Sequence, residues 1–254
     1  MNRPDWKAFL RRRLSLEEYL GLHLTIGLLL SAAALGLFAC VAHVVIGQGA
    51  IVRFDDELGE SLAHHRETHP WMRSVFFGVT QFGSVELMTG LVIAVALLLL
   101  VRRQRLLALV WLFAVAGGGL LDAGLKLVFQ RERPPFRDAG ILETTASFPS
   151  GHSMGSVIAY GLLAYFLALI LPRGWARRAI VAALVLVVVL IGSSRIYLGA
   201  HYFSDVLGGF LVGAAWLAAC ISGIETVRRR KNTNSSPGQG SAHVSSTQSG
   251  CRIT

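Results

Sequence analysis

Residues 83–129 read GSVELMTGLVIAVALLLLV, then RRQR, then LLALVWLFAVAGGGLLDAGLKLVF, so two long apolar runs flank a short basic turn. A helix needs about 20 apolar residues to cross the hydrocarbon core of a bilayer, and both runs come close to or exceed that length. Because lipid offers no hydrogen bonds to the backbone, such runs must satisfy their own N–H and C=O groups as helices. The stretch therefore predicts two transmembrane helices joined by a basic turn.

The composition of the whole chain agrees with this prediction. Hydrophobic residues make up 53% of the 254 residues and charged residues 15%, whereas soluble domains carry about 25% charged residues. A cytosolic enzyme, a coiled coil and a disordered scaffold are therefore excluded. The net charge of +9 does not indicate a nucleic-acid partner, because the basic residues lie between the apolar runs and follow membrane topology. The three cysteines have neither disulfide nor metal-ligand spacing: Cys40, Cys220 and Cys251.

Six apolar stretches predict an all-α, integral membrane bundle of six transmembrane helices. They are 20–47, 83–101, 106–129, 152–171, 179–194 and 203–224. Of the Lys and Arg residues, fifteen lie on the side of the N-terminus and eight on the opposite side, so the positive-inside rule places both termini in the cytoplasm. The chain then divides into a basic cytoplasmic segment at 1–19, a six-span domain at 20–227 and a disordered, Ser/Gly-rich cytoplasmic tail at 228–254.

Three further patterns bear on local structure. Phe54, Leu58 and Leu62 recur every four residues in the first outer loop, which predicts a short helix on the membrane surface. His65 and His69 follow in an H-x-E-x-H pattern, which differs from the zinc-protease pattern and is interpreted as part of a solvated, headgroup-facing loop. Small residues in the third and sixth spans predict close helix packing: Gly117–Gly119, Gly209 and Gly213.

Three polar clusters lie at span ends, and the topology places all three at the outer face. Lys126 lies near the outer end of the third span, and Arg133 follows seven residues later. Ser150, Gly151 and His152 open the fourth span. Ser194 and Arg195 close the fifth span, and His201 with Asp205 opens the sixth.

The residue types in these clusters indicate an anion-binding site. Lys126, Arg133 and Arg195 are three cations on the side that topology disfavours for positive charge, and guanidinium groups suit phosphate oxygens. At the start of the fourth span, the free N–H groups and the helix dipole also attract phosphate. Gly151 lets this backbone come close to a ligand, and Ser150 stands beside it.

The remaining polar residues supply acid–base and nucleophilic chemistry. His201 and Asp205 are four residues apart and are expected to share one helix face. A carboxylate on one imidazole nitrogen leaves the other nitrogen free as a nucleophile, and His152 can serve as the general acid. Asp122, four residues before Lys126, either holds that ammonium in place or acts as a buried charge partner with no catalytic part.

The combined pattern resembles the three-part signature of the type 2 phosphatidic acid phosphatase superfamily, which includes membrane lipid phosphatases and soluble vanadium haloperoxidases. The matching residues are Lys126-x6-Arg133-Pro134, Pro149-Ser150-Gly151-His152 and Ser194-Arg195-x5-His201-x3-Asp205. The resemblance implies that His201 forms a phosphohistidine, that Asp205 orients it, and that His152 protonates the leaving oxygen. It also implies that the phosphoryl oxygens are held by the remaining signature residues without any metal or cofactor: Lys126, Arg133, Ser150, Gly151 and Arg195.

These inferences predict a metal-independent lipid phosphatase in the inner (plasma) membrane, with its active site facing the periplasm or the exterior. The expected partners are the bilayer and a lipid phosphate or diphosphate: phosphatidic acid, phosphatidylglycerol phosphate or undecaprenyl diphosphate. One alternative is a phosphotransferase of the same superfamily, which would pass the phosphoryl group to a lipid acceptor. Another is a non-enzymatic transporter, which is disfavoured because the charged residues lie at one membrane face and not at the midplane.

Overall fold

The computed structural model describes residues 22–234, and within that range the chain forms eight α-helices and no strand. In chain order the helices are α1 (Leu22–Ile46), α2 (Ala50–Thr68), α3 (Pro70–Gln81), α4 (Val85–Val101), α5 (Arg105–Phe129), α6 (Gly151–Ile170), α7 (Trp175–Tyr197) and α8 (Phe203–Asn234).

Six segments are long and apolar enough to cross a membrane, which confirms the predicted all-α, six-span bundle. The second of them unites α3 and α4 into Pro70–Val101 and therefore begins before the predicted residue 83. The last helix continues to Asn234, past the predicted boundary at 227. The interpretations of segments 1–19 and 235–254 lie outside the described residues.

Helix α6 is the centre of the bundle. It packs against α5, α7 and α8, and half of the residues in its most apolar stretch are buried. Close approach to α8 depends on the two predicted glycines: a Cβ atom on Gly209 would lie 2.5 Å from the carbonyl oxygen of Ser150, and one on Gly213 would lie 3.0 Å from that of Met154. The core around α6 combines three of its own side chains, Ile158, Leu162 and Phe166, with three from neighbouring elements: Phe38, Trp111 and Phe148.

The first outer loop forms two helices, α2 and α3, which pack on the outer ends of α7 and α8. The predicted helix is therefore present, but the interpretation of this loop as solvated is wrong for its polar inner face. Asp55 and Arg66 are buried, and Gly59 lies so close to the ring of Phe136 that a Cβ atom there would approach within 2.0 Å. The apolar repeat in the sequence could not predict that Asp55 and Arg66 are buried, because their partners lie far along the chain.

The long loop 130–150 lies against α2 and α3. It begins where Gln130 adopts a left-handed conformation (φ 44°) and ends α5. Arg73 of α3 binds Asp138 with two hydrogen bonds of 2.6 and 2.8 Å. Ile141 is buried in a small apolar cluster that includes Leu198. These anchors fix the loop over the ends of α6, α7 and α8.

Candidate active site

The three predicted clusters converge at one end of the bundle. Loop 130–150 brings Arg133, the first turn of α6 brings His152, the last turn of α7 brings Arg195, and the turn before α8 brings His201. The fold therefore places residues from four separate parts of the chain around one site.

His201 and Asp205 form a buried pair, as the four-residue spacing predicts. The Nδ1 atom of His201 lies 3.5 Å from Oδ2 of Asp205, and both side chains are almost fully buried. Helix α8 begins only at Phe203, so His201 belongs to the preceding turn and not to the helix itself. Because Nδ1 faces the carboxylate, the free ring nitrogen is Nε2.

Burial lowers the pKa of His201 below its usual value, and Asp205 opposes this shift. The imidazole is consequently neutral at neutral pH, which is the state that a nucleophile requires.

Asp205 is held by a network that the sequence did not predict. Arg131 donates to Oδ1 of Asp205 at 2.6 Å and to Oδ2 of Asp55 on α2 at 2.9 Å. Ser147 donates from its hydroxyl to Oδ2 of Asp205, and the backbone N–H of Tyr202 donates to the same atom at 2.9 Å. These contacts fix the carboxylate that orients His201.

Arg133 and Arg195 both reach the site. Nη1 of Arg133 lies 3.4 Å from Nε2 of His201 and donates to the carbonyl oxygen of Ala200 at 2.9 Å. Arg195 is buried and donates to the hydroxyl of Thr80 on α3 at 2.9 Å. Its Nε is buried without a hydrogen-bond partner within the described part of the chain.

Glu143 joins the two arginines and was missed by the sequence analysis. Its carboxylate accepts hydrogen bonds from Arg133 (2.7 Å) and from Arg195. The same carboxylate lies 3.8 Å from Nδ1 of His152 and 3.8 Å from Nε2 of His201. The only sequence signal was an isolated acid in the loop between two signature motifs.

Two opposing effects set the charge of Glu143. Burial alone would raise the pKa of this carboxyl, but Arg195, the two histidines and Arg133 outweigh burial and lower the pKa to about 2. Glu143 is therefore an anion throughout the physiological pH range.

The three signature residues at the start of α6 lie in different environments. His152 and Gly151 line the cavity described below. Ser150 is fully buried, and its hydroxyl accepts hydrogen bonds from the N–H (3.4 Å) and the hydroxyl (3.1 Å) of Ser153. Its observed role is thus the N-cap of α6, while its contact with phosphate stays a prediction.

Lys126 projects from the last turn of α5 towards the same helix start. Its ammonium forms an ion pair of 3.0 Å with Asp122, a contact that both proposed roles of Asp122 require. A Cβ atom on Gly151 would lie 2.9 Å from this carboxylate and 3.1 Å from the ammonium. Gly151 therefore permits the close approach of α5 and α6 here.

A cavity of about 680 Å³ connects these groups to the apolar side of the bundle. Its polar end includes Lys126, Arg133, Glu143, His152 and His201. Its other end lies between α4, α5 and α6 and is lined mainly by apolar side chains: Val85, Met88, Val92, Val115, Met154 and Ile158. The cavity therefore accommodates a ligand with a charged head and an apolar body.

The geometry offers no set of metal ligands in the region that the structure describes: no three His, Cys, Asp or Glu side chains are arranged to hold a metal ion there. The rings of His65 and His69 stack with their centroids 4.1 Å apart, and His65 Nδ1 lies 3.2 Å from the hydroxyl of Tyr197. The positive charge at the site comes from Arg and Lys side chains.

Comparison with known proteins gives similarities to membrane lipid phosphatases. The family model of the PAP2 superfamily matches residues 107–229. Phosphatidylglycerophosphatase B of Bacillus subtilis (strain 168) is 32% identical over 181 residues, which cover 71% of this chain and 88% of that protein. A lipid A 1-phosphatase of Rhizobium johnstonii is 36% identical over 111 residues, which cover 40% of this chain and 41% of that protein.

A solved structure shares the fold. The crystal structure of a transmembrane PAP2 type phosphatidylglycerolphosphate phosphatase from Bacillus subtilis superposes with a TM-score of 0.72 at 29% sequence identity. The match covers 78% of this chain and 96% of that one.

Proposed function

The chain belongs to the PAP2 superfamily and is a membrane-embedded phosphatase. From this premise we propose that it hydrolyses the phosphate monoester or the diphosphate in the headgroup of a membrane lipid, and that the released phosphate passes through a phosphohistidine on His201. The cavity is the observation that carries this proposal. It joins a cationic pocket at His201 to an apolar cleft among α4, α5 and α6, as an amphiphilic substrate requires.

The first chemical step assigns one role to each histidine. Nε2 of His201 attacks phosphorus, the bond from phosphorus to the headgroup oxygen breaks, and His152 donates a proton to that oxygen. Asp205 holds Nδ1 of His201 and stabilises the positive charge that develops on its ring.

In the second step, His152 takes a proton from water as that water attacks the phosphohistidine. Inorganic phosphate leaves and both histidines return to their starting states. Charge on the phosphoryl oxygens is offset by the guanidinium and ammonium groups and by the start of α6: Lys126, Arg133, Arg195, Ser150 and the N–H of Gly151.

The substrates with the required shape are phosphatidic acid, phosphatidylglycerol phosphate and undecaprenyl diphosphate. The B. subtilis relatives are named for phosphatidylglycerophosphate, which makes that lipid the first to test. The distribution of Lys and Arg residues supports cytoplasmic termini and a site at the outer face of the inner (plasma) membrane, towards the periplasm or exterior.

Release of free phosphate tests the proposal against the phosphotransferase alternative. Purified protein in detergent, given phosphatidylglycerol phosphate and no lipid acceptor, should release one phosphate for each lipid consumed, and His201→Ala should release none. Activity should persist in EDTA and be blocked by vanadate. Consumption of substrate only when a lipid acceptor is added would contradict hydrolysis, and loss in EDTA with rescue by Mg²⁺ would contradict metal independence.

A further inference from the structure

Glu143 holds the position in which the proposed reaction needs a phosphoryl group. Its two carboxylate oxygens contact Arg133 and Arg195 and lie 3.8 Å from both catalytic histidines. A carboxylate is itself a planar oxyanion that pairs with guanidinium groups as phosphate does. The site thus carries an internal anion from its own loop.

Glu143 and a bound phosphoryl group would use the same partner. A phosphorus atom about to be attacked lies roughly 3–3.5 Å from the nucleophile, which here is Nε2 of His201. That nitrogen is 3.4 Å from Nη1 of Arg133, which already donates to Oε2 of Glu143 at 2.7 Å, and Oε2 itself lies 3.8 Å from Nε2. A phosphoryl group that approaches Nε2 and binds Arg133 therefore competes with this carboxylate for the guanidinium and meets its negative charge at close range.

We propose that Glu143 is an autoinhibitory mimic of the substrate, an inference that rests on the proposed function. Its carboxylate occupies the phosphoryl subsite and must rotate out before a lipid phosphate can bind. Its competition raises the dissociation constant of every phosphoryl ligand by the same factor. A lipid offsets this cost through burial of its chains in the apolar cleft, whereas inorganic phosphate has no such contact. The returning carboxylate then favours release of the phosphate product.

The loop around Glu143 permits this movement. Ile141 is anchored in the outer apolar cluster, and the backbone carbonyl of Thr145 is held by Arg133 at 2.7 Å. Between these anchors, Leu142 and Thr144 are exposed. Glu143 itself keeps 30% of its side chain accessible, so rotation towards the cavity mouth breaks no apolar packing.

The rival explanation makes Glu143 a permanent counter-ion that holds Arg133 and Arg195 in place. The two explanations predict opposite signs for one substitution. If Glu143 competes with phosphate, removal of its charge tightens anion binding. If it only positions the arginines, the same removal leaves them misplaced and weakens anion binding.

Orthovanadate and inorganic phosphate are suitable ligands for isothermal titration of the full-length protein in detergent. Glu143→Gln keeps the shape of the side chain and removes its charge, and we expect it to lower the dissociation constants of both anions by about tenfold or more, since like charges no longer meet in one pocket. The matched control is Glu132→Gln, a change of the same kind at an exposed position of the same loop, which should bind as the wild type does.

A second variant and a second measurement separate an effect on anion binding from a loss of folding. Glu143→Ala should also bind both anions more tightly, and phosphate should raise the melting temperature of either variant more than that of the wild type. Equal or weaker anion binding by both Glu143 variants would overturn the proposal. Hydrolysis of phosphatidylglycerol phosphate by the wild type, measured in the same detergent, reports separately on the proposed function.

Discussion

At the scale of single residues, the environment of His201 predicts how the rate of the proposed reaction depends on pH. Burial lowers the pKa of this imidazole and Asp205 opposes the shift. Only the neutral form attacks phosphorus, so kcat/KM should rise as pH increases through the lowered pKa, and this acidic limb should lie below about pH 6.5, the usual value.

Replacement of Asp205 tests the assignment of that limb. Asp205→Asn removes the group that raises the pKa of His201, so the acidic limb should move to still lower pH while kcat falls. A limb that stays in place, or moves to higher pH, would show that another group controls it. The measurement is a pH profile of kcat/KM for both proteins with one lipid substrate.

The role of His152 can be separated from that of His201 by the choice of leaving group. A lipid alkoxide needs a proton to depart, whereas p-nitrophenolate does not. His152→Ala should therefore lose about 10²–10⁴-fold in kcat with a lipid phosphate, the range expected of general acid catalysis. It should recover part of this loss with p-nitrophenyl phosphate, because the first step no longer needs an acid while the second still lacks its base. An equal loss with both substrates in the rate of the first turnover, which forms the phosphoenzyme, would contradict the role of His152 as general acid.

At the scale of elements, α2 supports the site through one buried carboxylate. Asp55 accepts from Arg131 at 2.9 Å and from the N–H of Ser204 at 3.0 Å, and Arg131 in turn holds Asp205. Asp55→Asn replaces one acceptor oxygen with a donor group. We expect a loss of about 2 kcal/mol in the free energy of unfolding and a decrease in kcat smaller than that caused by Asp205→Asn.

The neighbouring residue provides the control for this experiment. Asp56 lies on the same helix and is exposed, so Asp56→Asn should leave both the melting temperature in detergent and kcat unchanged. Equal behaviour of the two variants would mean that α2 does not stabilise the site through Asp55.

The elements also show what the sequence could and could not predict. Apolar length is a property of each segment alone, and it predicted all six spans. The segment that becomes α3 was missed because Arg73 and polar neighbours interrupt its apolar character.

Long-range pairing explains the missed site residues. The partners Asp55 and Arg131 are 76 residues apart, and Thr80 and Arg195 are 115 apart. Local periodicity carries no information on such contacts. The signature residues could be predicted because their chemistry is complementary and the topology places them at one membrane face.

At the scale of the whole molecule, the orientation in the membrane can be measured directly. After replacement of Cys40, Cys220 and Cys251, a single cysteine at Ala139 should react with a membrane-impermeant maleimide added to intact cells. A cysteine at Arg173 should react only after the membrane is permeabilised. Both positions are exposed, so accessibility to solvent does not differ. The reverse pattern would place the site in the cytoplasm.

For the whole catalytic cycle, we propose that a lipid phosphate transfers its phosphoryl group to His201 before water receives it. The most direct measurement is rapid quenching in alkaline SDS with lipid carrying a ³²P-labelled terminal phosphate, followed by detection of phosphoenzyme whose label is stable in base and lost in acid. We expect label on the wild type and none on His201→Ala. We expect label on His152→Ala when the substrate is activated, with a leaving group that needs no proton. Label that persists in His201→Ala and disappears in His152→Ala would contradict this mechanism and reverse the roles of the two histidines.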